Sequence, residues 1–254
     1  MPVRRHRGRM AGPDENSGIR CRLFCFPYAG AGAAVFRQWP DDLSGDIELC
    51  IPCLPGRDAR VDEPPATAMA PLVDGIAEEI RPLLGVPYAL FGHSMGAFVA
   101  FDLAHKLSDS GFAPARVFVA AQRGPRRPYP AKPIFALPDD AFLAALLDRY
   151  HSIPEPILRQ QDLMSVLLRT LHGDFTLVED YHYRAARLLS CPVTAFGGRE
   201  DRQIDREQLA AWSCETSCAF DLHLLPGGHF FLQESRKPLL AIIRRQLATL
   251  VAAG

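Results

Sequence analysis

Lysine is almost absent from this chain. Only 3 of its 28 basic side chains are lysine, and they face 29 acidic ones for a formal net charge of −1. A nucleic-acid binder would carry a pronounced basic excess, so that class is excluded. The arginine bias is read as base composition of the gene rather than function. Long apolar runs are missing as well, none reaching the roughly 18 residues of a membrane-spanning helix. Arg4, Arg5, Arg7 and Arg9 have no apolar stretch behind them, so no secretory signal is read there. Residues 1–18, with their Gly, Pro, Asn and Ser, are expected to form a flexible leader.

A paired cysteine framework is also lacking. Seven cysteines in a long chain without a signal favour free thiols and a reducing cytoplasm, which is the expected location. Cys50-Ile-Pro-Cys53 has redox spacing but sits inside the apolar run Ile47–Leu54, and no second pair stands at zinc spacing. With Cys21, Cys25 and Cys191, these read as small buried hydrophobes. No metal and no cofactor is expected.

What is present suits a packed core. At 254 residues and 48% apolar, the chain fits one large domain or two small ones and is not disordered. Short apolar runs at Arg20–Phe26, Ile47–Leu54, Tyr88–Phe91, Arg116–Ala120, Val193–Phe196 and Phe220–Leu225 read as strands. Helical spacing lies between them: Met69, Leu72, Val73, Ile76, Ile80 and Leu83; Phe98, Phe101 or Asp102, and His105 into Leu107; and finally Leu240, Ile243, Leu247 and Leu250. Such alternation predicts an α/β fold with a mainly parallel sheet covered on both faces.

About seventy residues between Ala120 and Val193 break the alternation. Pro125, Pro128, Pro130 and Pro133 open the stretch. Two amphipathic segments follow, one with Phe142, Leu143, Leu146, Leu147 and Tyr150, the other with Leu163, Val166, Leu167 and Leu171. They read as a helical lid inserted at about 125–188, or else as a purely structural helical layer.

The chemistry concentrates in Gly92-His93-Ser94-Met95-Gly96, which follows the strand Tyr88–Phe91 and leads into a helix. This is the strand–turn–helix setting of a nucleophile elbow, whose tight turn has no room for a Cβ at the glycines. Ser94 is the expected nucleophile, at a helix N-terminus that favours developing negative charge. A serine needs a base, and the elbow arrangement supplies an acid and then a histidine further along the chain. His6 lies in the leader, His93 and His105 in the elbow and its helix, His151, His172 and His182 in the lid, and His223 in a strand. His229, in Pro226-Gly227-Gly228-His229-Phe230-Phe231 after the last strand, is the expected base. Asp201, just past the strand Val193–Phe196, is the expected acid, with Glu200 its local competitor.

Phe26-Pro27-Tyr28-Ala29-Gly30-Ala31-Gly32, Phe36-Arg37-Gln38-Trp39, Leu54-Pro55-Gly56-Arg57, the elbow, Phe196-Gly197-Gly198 with Asp201, and Gly227-Gly228-His229-Phe230-Phe231 together resemble the type II thioesterases. These are stand-alone α/β-hydrolases serving polyketide synthases and nonribosomal peptide synthetases. The likeness runs from about Arg20 to the C-terminal helix, giving a thioesterase domain over 19–254. In the lid, Ile153-Pro154-Glu155 and Asp174-Phe175 with Tyr181 and Tyr183 resemble family signposts. Leu171-His172-Gly173-Asp174 departs from the usual Leu-Arg-Ala-Asp, and Ala120-Ala121-Gln122-Arg123 from the usual Ser-Gly-Arg run.

The resemblance implies hydrolysis of aberrant or stalled acyl groups from the phosphopantetheine arm of an acyl or peptidyl carrier protein. The Met95 backbone N–H would hold the oxyanion, joined by that of Ala29 on analogy with the family. No carrier motif of the Asp-Ser-Leu type occurs in the chain, so the substrate is expected to arrive on another protein. Arg57 and Arg60 either meet that partner or cap the Pro55-Gly56 turn. A monomer is expected. A carboxylesterase or acyltransferase would share the acyl-enzyme, and a non-catalytic carrier-binding protein is the third reading.

Overall fold

The computed structural model describes residues 3–7, 18–129, 131–150, 155–184 and 187–253. Seven strands form one sheet: β1 (Val3–Arg7), β2 (Cys21–Phe26), β3 (Ile47–Pro52), β4 (Tyr88–His93), β5 (Arg116–Ala120), β6 (Val193–Gly198) and β7 (Phe220–Leu225). Their order is β1-β3-β2-β4-β5-β6-β7, with β1 antiparallel to β3 and every other pairing parallel. The expected mainly parallel sheet is borne out, and so is the α/β-hydrolase fold.

Period-two alternation divides the buried apolar strand residues between two cores. Phe24 and Phe26 of β2, Leu90 of β4 and Val117 and Val119 of β5 pack beneath α1 (Met69–Ile80) and α2 (Met95–Asp109). Leu23, Cys25, Ala89, Phe91 and Phe118 face the other way. That core also takes Leu240, Ile243 and Leu247, which sit three and four apart along the C-terminal helix. Each large side chain so buried contributes about 1.5–3 kcal/mol. Because both faces are covered, the central strands are mainly apolar, and all six residues of β4 are buried.

The first strand corrects the expectation of a leader. Val3–Arg7 pairs with β3 in register Val3↔Pro52 to Arg7↔Glu48. Its polar sequence hid it, because an edge strand needs backbone bonds more than an apolar face. Arg5 and Arg22 both donate to the buried carboxylate of Glu48, at 2.9 and 2.7 Å, which ties the edge down. Residues 8–17 of the expected leader lie outside the described residues.

Between β5 and β6 the chain forms α3 (Asp139–Tyr150), α4 (Glu155–Leu158) and α5 (Gln161–Glu179). Phe142 and Leu146 of α3 meet Leu171 and Phe175 of α5 in a separate small core. Glu179 accepts the N–H groups of Ile134 and Phe135 at 2.6 and 2.9 Å and pairs with Arg149 at 3.0 Å, joining both ends of the insertion. Leu163 is 50% exposed rather than on the apolar face. Steps of four drift along a helix, so Leu163 points about 80° away from Leu171. Met164 is buried in its stead. After β6 come the short α6 (Arg206–Ala210) and finally α7 (Arg236–Ala253). No helix among the described residues is long and apolar enough to cross a membrane.

Candidate active site

Ser94 is the only residue between β4 and α2, and the turn forces it to φ +52°. A Cβ on Gly92 would stand 1.9 Å from the Gly96 carbonyl oxygen, and one on Gly96 would stand 2.2 Å from that of Phe26. Only glycine fits either position. The Ser94 N–H donates to the Ala120 carbonyl at 2.8 Å, anchoring the elbow to β5.

His229 stands in the loop between β7 and α7, where its ring bridges two partners. Nδ1 is 2.9 Å from Oδ2 of Asp201, and Nε2 is 3.2 Å from Oγ of Ser94. A carboxylate only accepts, so Nδ1 carries the hydrogen and Nε2 is left to accept from the Ser94 hydroxyl. The Asp201 side chain is fully buried, and its other oxygen accepts the N–H groups of Gln203 and Ile204 at 2.8 and 3.3 Å. Glu200 turns instead to the Gly227 N–H, bracing the loop that carries the histidine.

His93 packs 5.5 Å from the His229 ring, completely buried, with neither ring nitrogen bonded to a partner. Burial, reinforced by the nearby His229, holds its pKa well below the ordinary histidine value, so it is a neutral wall.

The two residues expected to supply oxyanion donors lie beside the serine turn and within the Tyr28–Ala31 turn. Met95 begins α2, and Ala29 lies in a turn closed by the Ala31 N–H donating to the Tyr28 carbonyl at 3.1 Å. Ser94, His229 and Ala29 line one cavity of about 440 Å³. Its far walls are Val35, Leu146, Leu167, Leu171, Phe175 and Val178. Among the described residues no cluster of three or more His, Cys, Asp or Glu is placed to hold a metal ion.

A family model described as the thioesterase domain matches residues 21–247. The chain belongs to the thioesterase family. The resemblance drawn from its motifs is thereby borne out, and this thioesterase is a thioester hydrolase. It is 38% identical over 240 residues to the gramicidin S biosynthesis protein GrsT of Aneurinibacillus migulanus, covering 94% of this chain and 93% of that one. It is similar in structure to RedJ, a thioesterase of the prodiginine pathway in Streptomyces coelicolor, with a TM-score of 0.82, 34% identity and coverage of 89% and 86%. The type II thioesterase BorB of the borrelidin cluster gives a TM-score of 0.82 at 30% identity, covering 96% of each chain.

Several sequence-level readings resolve in this thioesterase. Arg57 is buried in an ion pair with Asp174, and Arg60 donates to Cys53 and pairs with Glu63, so both arginines are engaged within the chain. All seven cysteines are free, and burial pushes the Cys50 thiol up to about 12, which suits packing and not exchange. His172 stacks on Phe142 at 4.0 Å and bonds the Phe135 carbonyl, so the departure at this position serves the packing of the helical insertion. Arg123 is buried over the Phe98 and Tyr129 rings. His151, Ile153 and Pro154 lie outside the described residues. Tyr150 escaped notice as a site residue; its ring packs 5.2 Å from that of His229. Its only signal in the sequence is its place on the apolar face of the helical insertion.

Proposed function

We propose that this thioesterase removes aberrant or stalled acyl groups from the phosphopantetheine arm of acyl or peptidyl carrier proteins, with Ser94, His229 and Asp201 as its triad. The reading is carried by one observation, the His229 ring spanning Ser94 at 3.2 Å and Asp201 at 2.9 Å. Similarity to GrsT, RedJ and BorB, each tied by name to a biosynthetic pathway or cluster, supports the carrier-bound substrate.

Ser94 Oγ attacks the thioester carbonyl carbon as its proton passes to Nε2 of His229. The carbonyl oxygen becomes an oxyanion between the N–H groups of Met95 and Ala29. Asp201 holds the Nδ1–H and stabilises the imidazolium. Collapse breaks the C–S bond, and the thiolate takes the proton from His229. A thiol of pKa about 8.5 leaves with little acid assistance. Water then attacks the Ser94 ester, giving a proton to His229, and the free acid departs as Ser94 regains its hydrogen. Seven free thiols support a reducing cytoplasm as the setting.

The test compares hexanoyl carrier protein, hexanoyl coenzyme A and p-nitrophenyl hexanoate with wild type and Ser94→Ala. The proposal expects carrier protein to be the preferred substrate and Ser94→Ala to be folded and inactive. Undiminished turnover by Ser94→Ala would refute it, and preference for the simple ester would favour a carboxylesterase.

A further inference from the structure

Asp174 sits in the middle of α5, on the same side as the chamber residues Leu171, Phe175 and Val178, and is 1% exposed. Such a setting does not favour a carboxylate unless its oxygens are matched. They are matched by the turn that carries Ala29. Oδ2 accepts the Gly30 N–H at 2.7 Å and Nη1 of Arg57 at 2.8 Å, while Oδ1 accepts from Nη2 of Arg57 at 2.6 Å. The same Nη1 donates to the Ala31 carbonyl at 2.9 Å. Gly30 stands at φ +77°, and a Cβ there would lie 2.6 Å from Leu171, so the turn is seated against the helix.

The consequence concerns the neighbouring peptide. The Gly30 N–H and Ala31 carbonyl are both tied to charged side chains, and the Ala31 N–H closes the turn on Tyr28. Among the described residues the Ala29 N–H has no protein acceptor. Its direction follows from torsions that its bonded neighbours hold in place. Asp174 touches no reacting atom in this arrangement. It acts one residue away, and Arg57 holds it there with a two-pronged bond.

We propose that Asp174, gripped by Arg57, is a positioning residue that aims the Ala29 N–H at the oxyanion, so that the lid helix α5 is part of the catalytic frame as well as a cover. The inference rests on the assignment of Ala29 and Ser94 under the proposed function. An oxyanion donor counts only when aimed at the developing charge, and losing one costs about a hundred- to a thousandfold in rate. A misaimed donor should cost about ten- to a hundredfold.

The experiment uses the full chain, hexanoyl-N-acetylcysteamine thioester as substrate and hexyl trifluoromethyl ketone as a mimic of the tetrahedral adduct. The double variant Arg57→Met, Asp174→Leu removes the clamp without leaving a buried charge unpaired, so stability is retained. Its kcat should fall about ten- to a hundredfold with KM within about threefold, and ketone affinity should fall with kcat/KM. Asp174→Asn, which keeps an acceptor for Gly30, should turn over at least about threefold faster than Asp174→Ala, although both strand Arg57. A double variant within about twofold of wild-type kcat would overturn the proposal. So would unchanged ketone affinity, or an Asn variant no faster than the Ala variant, a comparison that also decides if the double variant does not fold. An inactive wild type, or an active Ser94→Ala, would instead sink the proposed function.

Discussion

Asp201 and Glu200 are adjacent in the chain, yet only Asp201 reaches the His229 ring, Oδ2 to Nδ1 at 2.9 Å. Glu200 spends its carboxylate on the Gly227 N–H, and its own N–H goes to the Gly227 carbonyl at 3.1 Å. The two acids therefore divide the work, one holding the ring and the other holding the loop. Asp201→Asn should lower kcat on the order of 10⁴-fold with KM little changed, because an amide facing Nδ1 favours the wrong tautomer. Glu200→Gln keeps an acceptor for Gly227 and should stay within about fivefold of wild type. Steady-state kinetics on the hexanoyl thioester distinguish the two, and equal losses would mean that the acid has been misassigned.

Asp102, on the inner side of α2, gives stability a pH dependence that can be read directly. Burial pushes its pKa up to about 6, although the Tyr181 hydroxyl donates to it at 2.6 Å and Arg184 draws it back down. The unfolded value is about 3.9, so the folded protein binds this proton more tightly than the unfolded chain. The stability gained is complete below about pH 4 and is lost as pH rises through about 6. Asp102→Asn keeps the acceptor for Tyr181 and removes the charge. Above pH 7 it should be the more stable protein by on the order of 2 kcal/mol, about 4–8 °C in Tm. Thermal melts from pH 4 to 8 check this, and a gap that fails to grow with pH counts against the buried-carboxyl account.

Local pattern carried much of this protein. The five inner strands are legible as apolar runs because a sheet covered on both faces needs them; of the two edge strands, β7 still carries Phe220, Leu222, Leu224 and Leu225, whereas β1 is polar and held by backbone pairing and arginine contacts. Ser94 and His229 were legible through glycines, whose absence of Cβ marks where chain segments nearly touch. Long-range pairing was not legible. Arg57 and Asp174 are 117 positions apart, and no spacing rule links a turn arginine to a carboxylate in an inserted helix. Tyr150 likewise looks like a packing residue in the sequence, since nothing local shows that the α3 helix ends over the His229 ring.

The chamber itself sets the last expectation. Its lining includes no Asp, Glu, Lys or Arg side chain, and burial raises Tyr28 and pushes Tyr150 up to about 12, so both keep their protons. An α-ammonium beside the scissile carbonyl would lose its hydration with no carboxylate in the lining to replace it, at a cost of several kcal/mol. Leucyl and 4-methylpentanoyl N-acetylcysteamine thioesters share a skeleton and differ by that one amine. With each rate divided by its own uncatalysed hydrolysis, kcat/KM at pH 6 should favour the neutral acyl group by about a hundredfold, near 3 kcal/mol. A free α-amine titrates near 7.7, so the ratio should shrink as pH rises toward 9 and the leucyl substrate becomes neutral. A ratio that stays flat across this range, or one that favours the leucyl thioester at pH 6, would mean that the acyl group does not enter this chamber with its amine desolvated.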